Sequence, residues 1–197
     1  MPLPPGTRVE AQRLKLRPLA AADLPDLLEV NGDPEVTRFL PYETWQSLAD
    51  AEAWLVRMET MAASGTGQVL VLERRSDAKV IGDLLLFKYD EGSRRIELGY
   101  VLGRVHWGKG LMREAITAAC ACAFDELGIR RIEAEVNPEN LASCALLLKV
   151  GFALEGRLRK RWEAKGNAYD TNIYGWLAED RLADLGYAPY RAVLRTA

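Results

Sequence analysis

The chain has 197 residues, 49% of them apolar and 27% charged, a composition that supplies one sizeable core in an ordinary globular domain. Lys and Arg total 26 against 28 Asp and Glu, a formal net charge of -2, so no overall basic field marks a nucleic-acid or membrane-surface protein. No run nears the roughly 18 apolar residues that span a bilayer, and the proline-bearing N-terminus lacks the apolar stretch of a secretory leader.

In chain order, residues 14–19 read as a strand. From Asp23, a helical spacing of Leu24, Leu27, Leu28 and Asn31 runs until Asp33-Pro34 breaks it. A second helix is predicted from Ser47, a hydroxyl able to cap exposed amides, with Asp50 in its acid-favouring first turn and Ala51, Trp54, Leu55 and Met58 as its apolar stripe. Three strands follow at 68–73, 80–87 and 95–102, separated by charged turns, and their order suggests an antiparallel meander. In the third, Ile96, Leu98, Tyr100 and Leu102 form one apolar face and Glu97 points to the other.

Residues 111–127 are Ala-rich and helical, ending at Gly128, a suitable left-handed cap. A strand at 131–136, a helix at 140–150 ended by Gly151, a strand opening at Phe152 and a last strand at 169–177 complete the order. The expectation is an α/β domain over residues 1–177 with a mixed, mostly antiparallel sheet of six or seven strands and helices on both faces. Residues 178–197 form an extension whose Leu185, Tyr187, Pro189 and Tyr190 would pack back on the domain or against a second subunit. Cys120, Cys122 and Cys144 sit in apolar helical contexts without the His and Cys partners of a zinc site. They read as buried free thiols of a cytoplasmic protein, with no metal expected.

Two segments carry chemistry. At the junction of the 95–102 strand and the next helix, Trp107-Gly108-Lys109-Gly110 lets backbone amides approach a ligand at a helix N-terminus, with Lys109 and Arg113 adding positive charge. The segment from Gly103 matches a P-loop except that Gly110 replaces the final hydroxyl residue, which removes the magnesium ligand of triphosphate chemistry. The dinucleotide pattern also fails beyond Gly110. An anion at a helix head and an ordinary turn with a helix cap both remain open on these residues alone. The second segment, Asn137-Pro138-Glu139-Asn140-Leu141-Ala142-Ser143, lies where a strand meets a helix, and by itself it reads as a cap.

Taken together, the Trp107 to Ala115 segment and Asn140-x-x-Ser143 through Lys149-x-Gly151-Phe152 resemble the signatures of the GNAT acetyltransferase superfamily, and within it the RimJ/RimL-like branch. The early Arg13 to Leu19 and Asp33 to Val36 segments are similar to that branch's opening elements. The resemblance implies that acetyl-CoA is the co-substrate and that an amine, a protein N-terminus or a small molecule, is the acceptor, acetylated by direct attack in a ternary complex. It implies cofactor contacts from Val101 and Leu102 along a splayed strand, from Trp107, Gly108, Lys109, Gly110, Leu111 and Met112 at the pyrophosphate, and from Asn140 at the pantetheine arm. Ser143 matches the position that protonates the departing thiolate, and Glu97 is the first choice for a base acting through water, with Glu163 as the alternative. Tyr100 and Tyr169 read as core or pocket aromatics, Asp170 as a brace for the last strand, and the single histidine, His106, as structural. Acceptor specificity is expected from residues 38–54 and 158–169. No membrane or nucleic-acid partner is expected, a homodimer is allowed for, and a catalytically silent acyl-CoA-binding regulator is the competing reading.

Overall fold

The structure, a computed structural model, describes residues 7–183; the predicted packing of Leu185, Tyr187, Pro189 and Tyr190 lies outside them. In chain order the elements are β1 (Val9–Glu10), β2 (Leu14–Pro18), α1 (Leu24–Asn31), α2 (Pro34–Thr37), α3 (Leu48–Ala63), β3 (Gln68–Arg74), β4 (Val80–Asp90), β5 (Arg95–Leu102), α4 (Leu111–Asp125), β6 (Arg131–Val136), α5 (Leu141–Val150), β7 (Ala153–Ala164), β8 (Asn167–Leu177) and α6 (Ala178–Ala183). The strands form one sheet in the order β1-β2-β3-β4-β5-β6-β8-β7, with β5 and β6 parallel and the other neighbours antiparallel. No described helix is long and apolar enough to cross a membrane.

Alternation along the strands sorts side chains onto two faces. Leu14, Leu16, Leu70, Leu72, Leu84, Leu86, Ile96, Leu98, Ile132 and Ala134 pack under α4, which contributes Leu111, Ala115, Ile116 and Phe124. On the opposite face Val69, Val71 and Val80 meet Leu24 and Leu27 of α1 and Trp54 of α3. The expected helix start at Ser47 is present. Its device is the Asp50 carboxylate, which accepts N–H bonds from Gln46 at 2.8 Å and Ser47 at 3.0 Å.

The sheet has eight strands where six or seven were expected. The short β1 adds one, pairing with β2 through Val9 and Glu10. The larger difference is that β7 and β8 form a long hairpin turning at Lys165-Gly166, through residues 158–169 that were expected to help set acceptor specificity. β7 is an edge strand with most side chains exposed, so it lacks the buried alternation by which a strand announces itself in sequence.

The feature that positions the site is a splay. β5 and β6 pair only at Arg95↔Arg131, Ile96↔Ile132 and Glu97↔Glu133. Beyond Glu97, β5 continues to Leu102 bonded to β4 alone, while β6 continues to Val136 bonded to β8. One backbone edge of β5 from Leu98 onward therefore has no strand partner among the described residues and faces a wedge.

Candidate active site

At the wide end of the wedge the chain leaves β5 through a single 3-10 turn, Arg104–His106. The Trp107 amide closes that turn on the Arg104 carbonyl at 3.0 Å, and the Trp107 indole N–H donates to the Leu102 carbonyl at 2.7 Å. The Trp107 amide, expected to face the anion, is therefore engaged within the turn, and its side chain instead ties the turn to the end of β5. Gly108 and Gly110 follow with φ of 71° and 73°, both left-handed, which explains why glycine stands at each. The amides of residues 108–113 form no hydrogen bond with another described residue, and those of Leu111, Met112 and Arg113 open α4, where the helix dipole concentrates positive potential. These exposed donors beside an open strand edge fit the phosphates and pantetheine arm of coenzyme A.

The second segment sits across the wedge. Asn140 caps α5 by accepting the Ser143 N–H on its side-chain oxygen at 3.1 Å, which leaves both donors of its side-chain nitrogen for a ligand. Ser143 is held with its hydroxyl 2.5 Å from that of Tyr100 on β5. Burial pushes the Tyr100 phenol above its ordinary range, and it stays protonated at neutral pH. The sequence reads Tyr100 as a core or pocket aromatic, and nothing local to β5 links it to Ser143, which meets it only because α5 docks there.

The other face of β5 carries carboxylates. Glu97 is 6% exposed and accepts a bond from the Lys88 ammonium at 2.8 Å. Burial raises the Glu97 carboxyl above the usual range against the pull of Lys88. Glu135 lies beside it, 3.8 Å from the same ammonium, and accepts the Trp162 indole N–H at 2.6 Å. On this face Asp83 of β4 pairs in register with Val101. It is 6% exposed, has no hydrogen bond or ion pair with another described residue, and burial pushes its carboxyl up to about 7. The sequence reading missed Asp83, although a charged residue inside an apolar strand is itself a signal.

Other expected residues lie apart from this cluster. Glu163 is exposed on the hairpin opposite Ala168, away from the buried position that raises Glu97. Asp170 accepts bonds from Arg157 at 2.9 Å and from the Lys160 amide at 3.0 Å, the bracing role expected of it. His106 is buried behind the turn, where burial lowers its imidazole pKa. Cys120 and Cys122 are buried and Cys144 half-buried, all three free thiols.

The geometry is thus a split sheet with helix-head amides unpaired among the described residues at one end and paired hydroxyls within, an arrangement suited to acyl transfer from a CoA thioester. Residues 13–153 match the acetyltransferase (GNAT) domain family. The uncharacterized N-acetyltransferase p20 of Bacillus licheniformis is 32% identical over 169 residues, covering 86% of this chain and 95% of that protein. Mycobacterium smegmatis RimJ in complex with CoA-disulfide shares the fold at a TM-score of 0.78 and 23% identity, covering 93% of this chain and 97% of that chain. Spermidine N-acetyltransferase from Vibrio cholerae in complex with CoA and spermine does so at a TM-score of 0.75 and 24% identity, covering 86% and 98%. The chain belongs to the GNAT acetyltransferase family. It is an acetyl-CoA-dependent N-acetyltransferase that acetylates an amine.

Proposed function

We propose that this enzyme acetylates a cationic primary amine, with Tyr100 and Ser143 serving the leaving thiolate and the buried carboxylates of the opposite face receiving the acceptor. The observation that carries this reading is the division of the wedge. Two hydroxyls 2.5 Å apart line one side, while Glu97, Glu135 and Asp83 line the face beyond it. That face suits an ammonium group, because a buried carboxylate lacking full compensation favours any cation that reaches it. Spermidine, a substrate of the Vibrio cholerae enzyme of like fold, has this chemistry, as does a protein N-terminus.

In this reading the amides of residues 108–112 hold the pyrophosphate, the open edges of Val101 and Leu102 meet the pantetheine arm, and Asn140 meets it from α5. When bound, acetyl-CoA supplies a thioester whose carbonyl is the electrophile and whose thiolate leaves. Glu97 takes the proton that the ammonium loses, through a water, before the amine attacks. The Ser143 hydroxyl gives a proton to the sulfur and draws on Tyr100 for its own, and the second proton that the nitrogen sheds as the amide forms restores the Tyr100 phenol through solvent. A cytoplasmic setting agrees with the three free thiols, and an exposed β7 edge offers a surface for a homodimer.

The test is a screen of diamines, polyamines and peptides with free N-termini, read by release of CoA thiol. A cationic amine should turn over, and Tyr100→Phe with Ser143→Ala should lower kcat by about 100-fold while acetyl-CoA affinity is retained. Binding of acetyl-CoA with no thiol release from any amine would instead support the silent-regulator reading.

A further inference from the structure

Arg13 lies outside both chemistry-bearing segments, yet it makes three bonds to the phosphate turn and the helix that follows. Its backbone N–H donates to Glu114 Oε1 at 2.6 Å, its Nε–H to Glu114 Oε2 at 2.7 Å, and one η nitrogen to the Lys109 carbonyl at 2.9 Å. The other η nitrogen lies 3.6 Å from where a Cβ on Gly110 would stand. Glu114 is buried in the first turn of α4.

Two consequences follow from elementary geometry and charge. A trans peptide carries its C=O and N–H on opposite sides. Holding the Lys109 carbonyl toward Arg13 therefore turns the Gly110 N–H the other way, out of the turn and toward an incoming phosphate. Glu114 suits the helix dipole, but a carboxylate in that first turn opposes a pyrophosphate seated on the same helix head. Arg13 occupies both oxygens of Glu114, Oε1 through its backbone N–H and Oε2 through its guanidinium, which brings a compensating positive charge under the turn.

We infer that Arg13 is a positioning residue for the cofactor's pyrophosphate: it aims the Gly110 amide and cancels the Glu114 charge, so that the helix head presents net positive potential to the anion. The inference rests on the reading that residues 108–112 hold the pyrophosphate. It concerns a side chain that enters the site from the bend between β1 and β2, more than ninety residues earlier in the chain.

The experiment is equilibrium binding, by tryptophan fluorescence or calorimetry, of acetyl-CoA, of 3′-dephospho-acetyl-CoA and of S-acetyl-pantetheine, which lacks the pyrophosphate and nucleotide. Arg13→Ala should weaken both pyrophosphate-bearing ligands about 10-fold, the scale of one lost charge-assisted contact, and leave S-acetyl-pantetheine unchanged. Adding Glu114→Gln to Arg13→Ala should recover most of that loss, because the uncompensated charge is gone. Equal weakening of all three ligands by Arg13→Ala, or no recovery in the double variant, overturns the inference and makes the pair a scaffold contact. Gly110→Val reports separately on the underlying reading. If it leaves acetyl-CoA binding intact, the turn does not hold the pyrophosphate and both statements fall. If it weakens binding while Arg13→Ala does not, only the role of Arg13 falls. Arg13→Lys, which keeps the charge without the fork, should recover dephospho-ligand binding only in part, and full recovery would overturn the orienting half of the inference. Thermal melts of each variant separate loss of binding from loss of fold.

Discussion

Among individual residues, Asp83 is the one whose placement runs against stability. Its carboxyl is buried on β4 with no cation beside it, and its pKa rises to about 7 for that reason alone. In the unfolded chain the same group titrates near ~3.9. Below that value both states hold the proton and nothing is lost. Between about 4 and about 7 the unfolded chain releases the proton while the native state keeps it, so stability falls as pH rises, by an upper bound of about 4 kcal/mol above pH 7. Asp83→Asn should therefore raise Tm at pH 8 and leave it nearly unchanged at pH 4. Thermal melts at the two pH values check this, and an equal gain at both would sink it. A group that weakens the fold on the face proposed to receive the acceptor fits the trade of stability for function.

At the level of elements, the wedge depends on how closely β4 hugs the end of β5, beyond the point where β5 leaves β6. A Cβ added at Gly82 would stand 2.2 Å from the Val101 carbonyl and 3.0 Å from the Leu102 Cα, so any side chain there displaces the stretch that lines the wedge. Gly82→Ala is expected to destabilise by about 1–3 kcal/mol, the usual scale of overpacking, and to weaken acetyl-CoA binding in the protein that still folds. Urea melts and a CoA titration read the two effects. Gly92→Ala is the control, since its nearest neighbour is an Asp90 carboxylate oxygen at 3.5 Å, and it should change neither.

Across the whole molecule, the β7–β8 hairpin returns over the face that carries Glu97 and Glu135 and is fastened there. The Lys165 ammonium, at its tip, donates to the Thr37 carbonyl at the end of α2 at 2.7 Å, across 128 positions of sequence. Thr37 in turn meets Thr44 hydroxyl to hydroxyl at 2.7 Å, and Tyr42 donates to Asn31 of α1 at 2.8 Å. Two distant segments so enclose one side of the face that carries Glu97 and Asp83. Lys165→Ala should raise the acceptor KM by about 3- to 10-fold, as one charge-assisted bond that orders a loop is lost, with acetyl-CoA affinity unchanged. Steady-state kinetics with the amine returned by the acceptor screen would show it, and a matching loss of acetyl-CoA affinity would argue against a role confined to the acceptor side.

What the sequence determined by itself was everything governed by neighbours a few residues apart. The alternation of Leu14 and Leu16, and of Ile96 and Leu98, set the strand faces. The glycines at 108 and 110 marked a turn that only positive φ can make, and Asn140 announced the cap of α5. From these the sheet and its helices on both faces were legible, whereas the glycine turn on its own spoke only for an anion or a helix cap and its reading as a cofactor site came from family resemblance. Tertiary structure alone decided the splay of β5 from β6, the meeting of Tyr100 with Ser143, the reach of Arg13 to Lys109 and Glu114, and the closure of the hairpin on Thr37. Each joins residues far apart in the chain, where pairing depends on which packed faces meet and not on any local periodicity. The exposed β7 and the lone Asp83 went unread for related reasons: an edge strand carries little hydrophobic alternation, and whether a carboxylate is buried without a partner is settled only when its neighbours are in place.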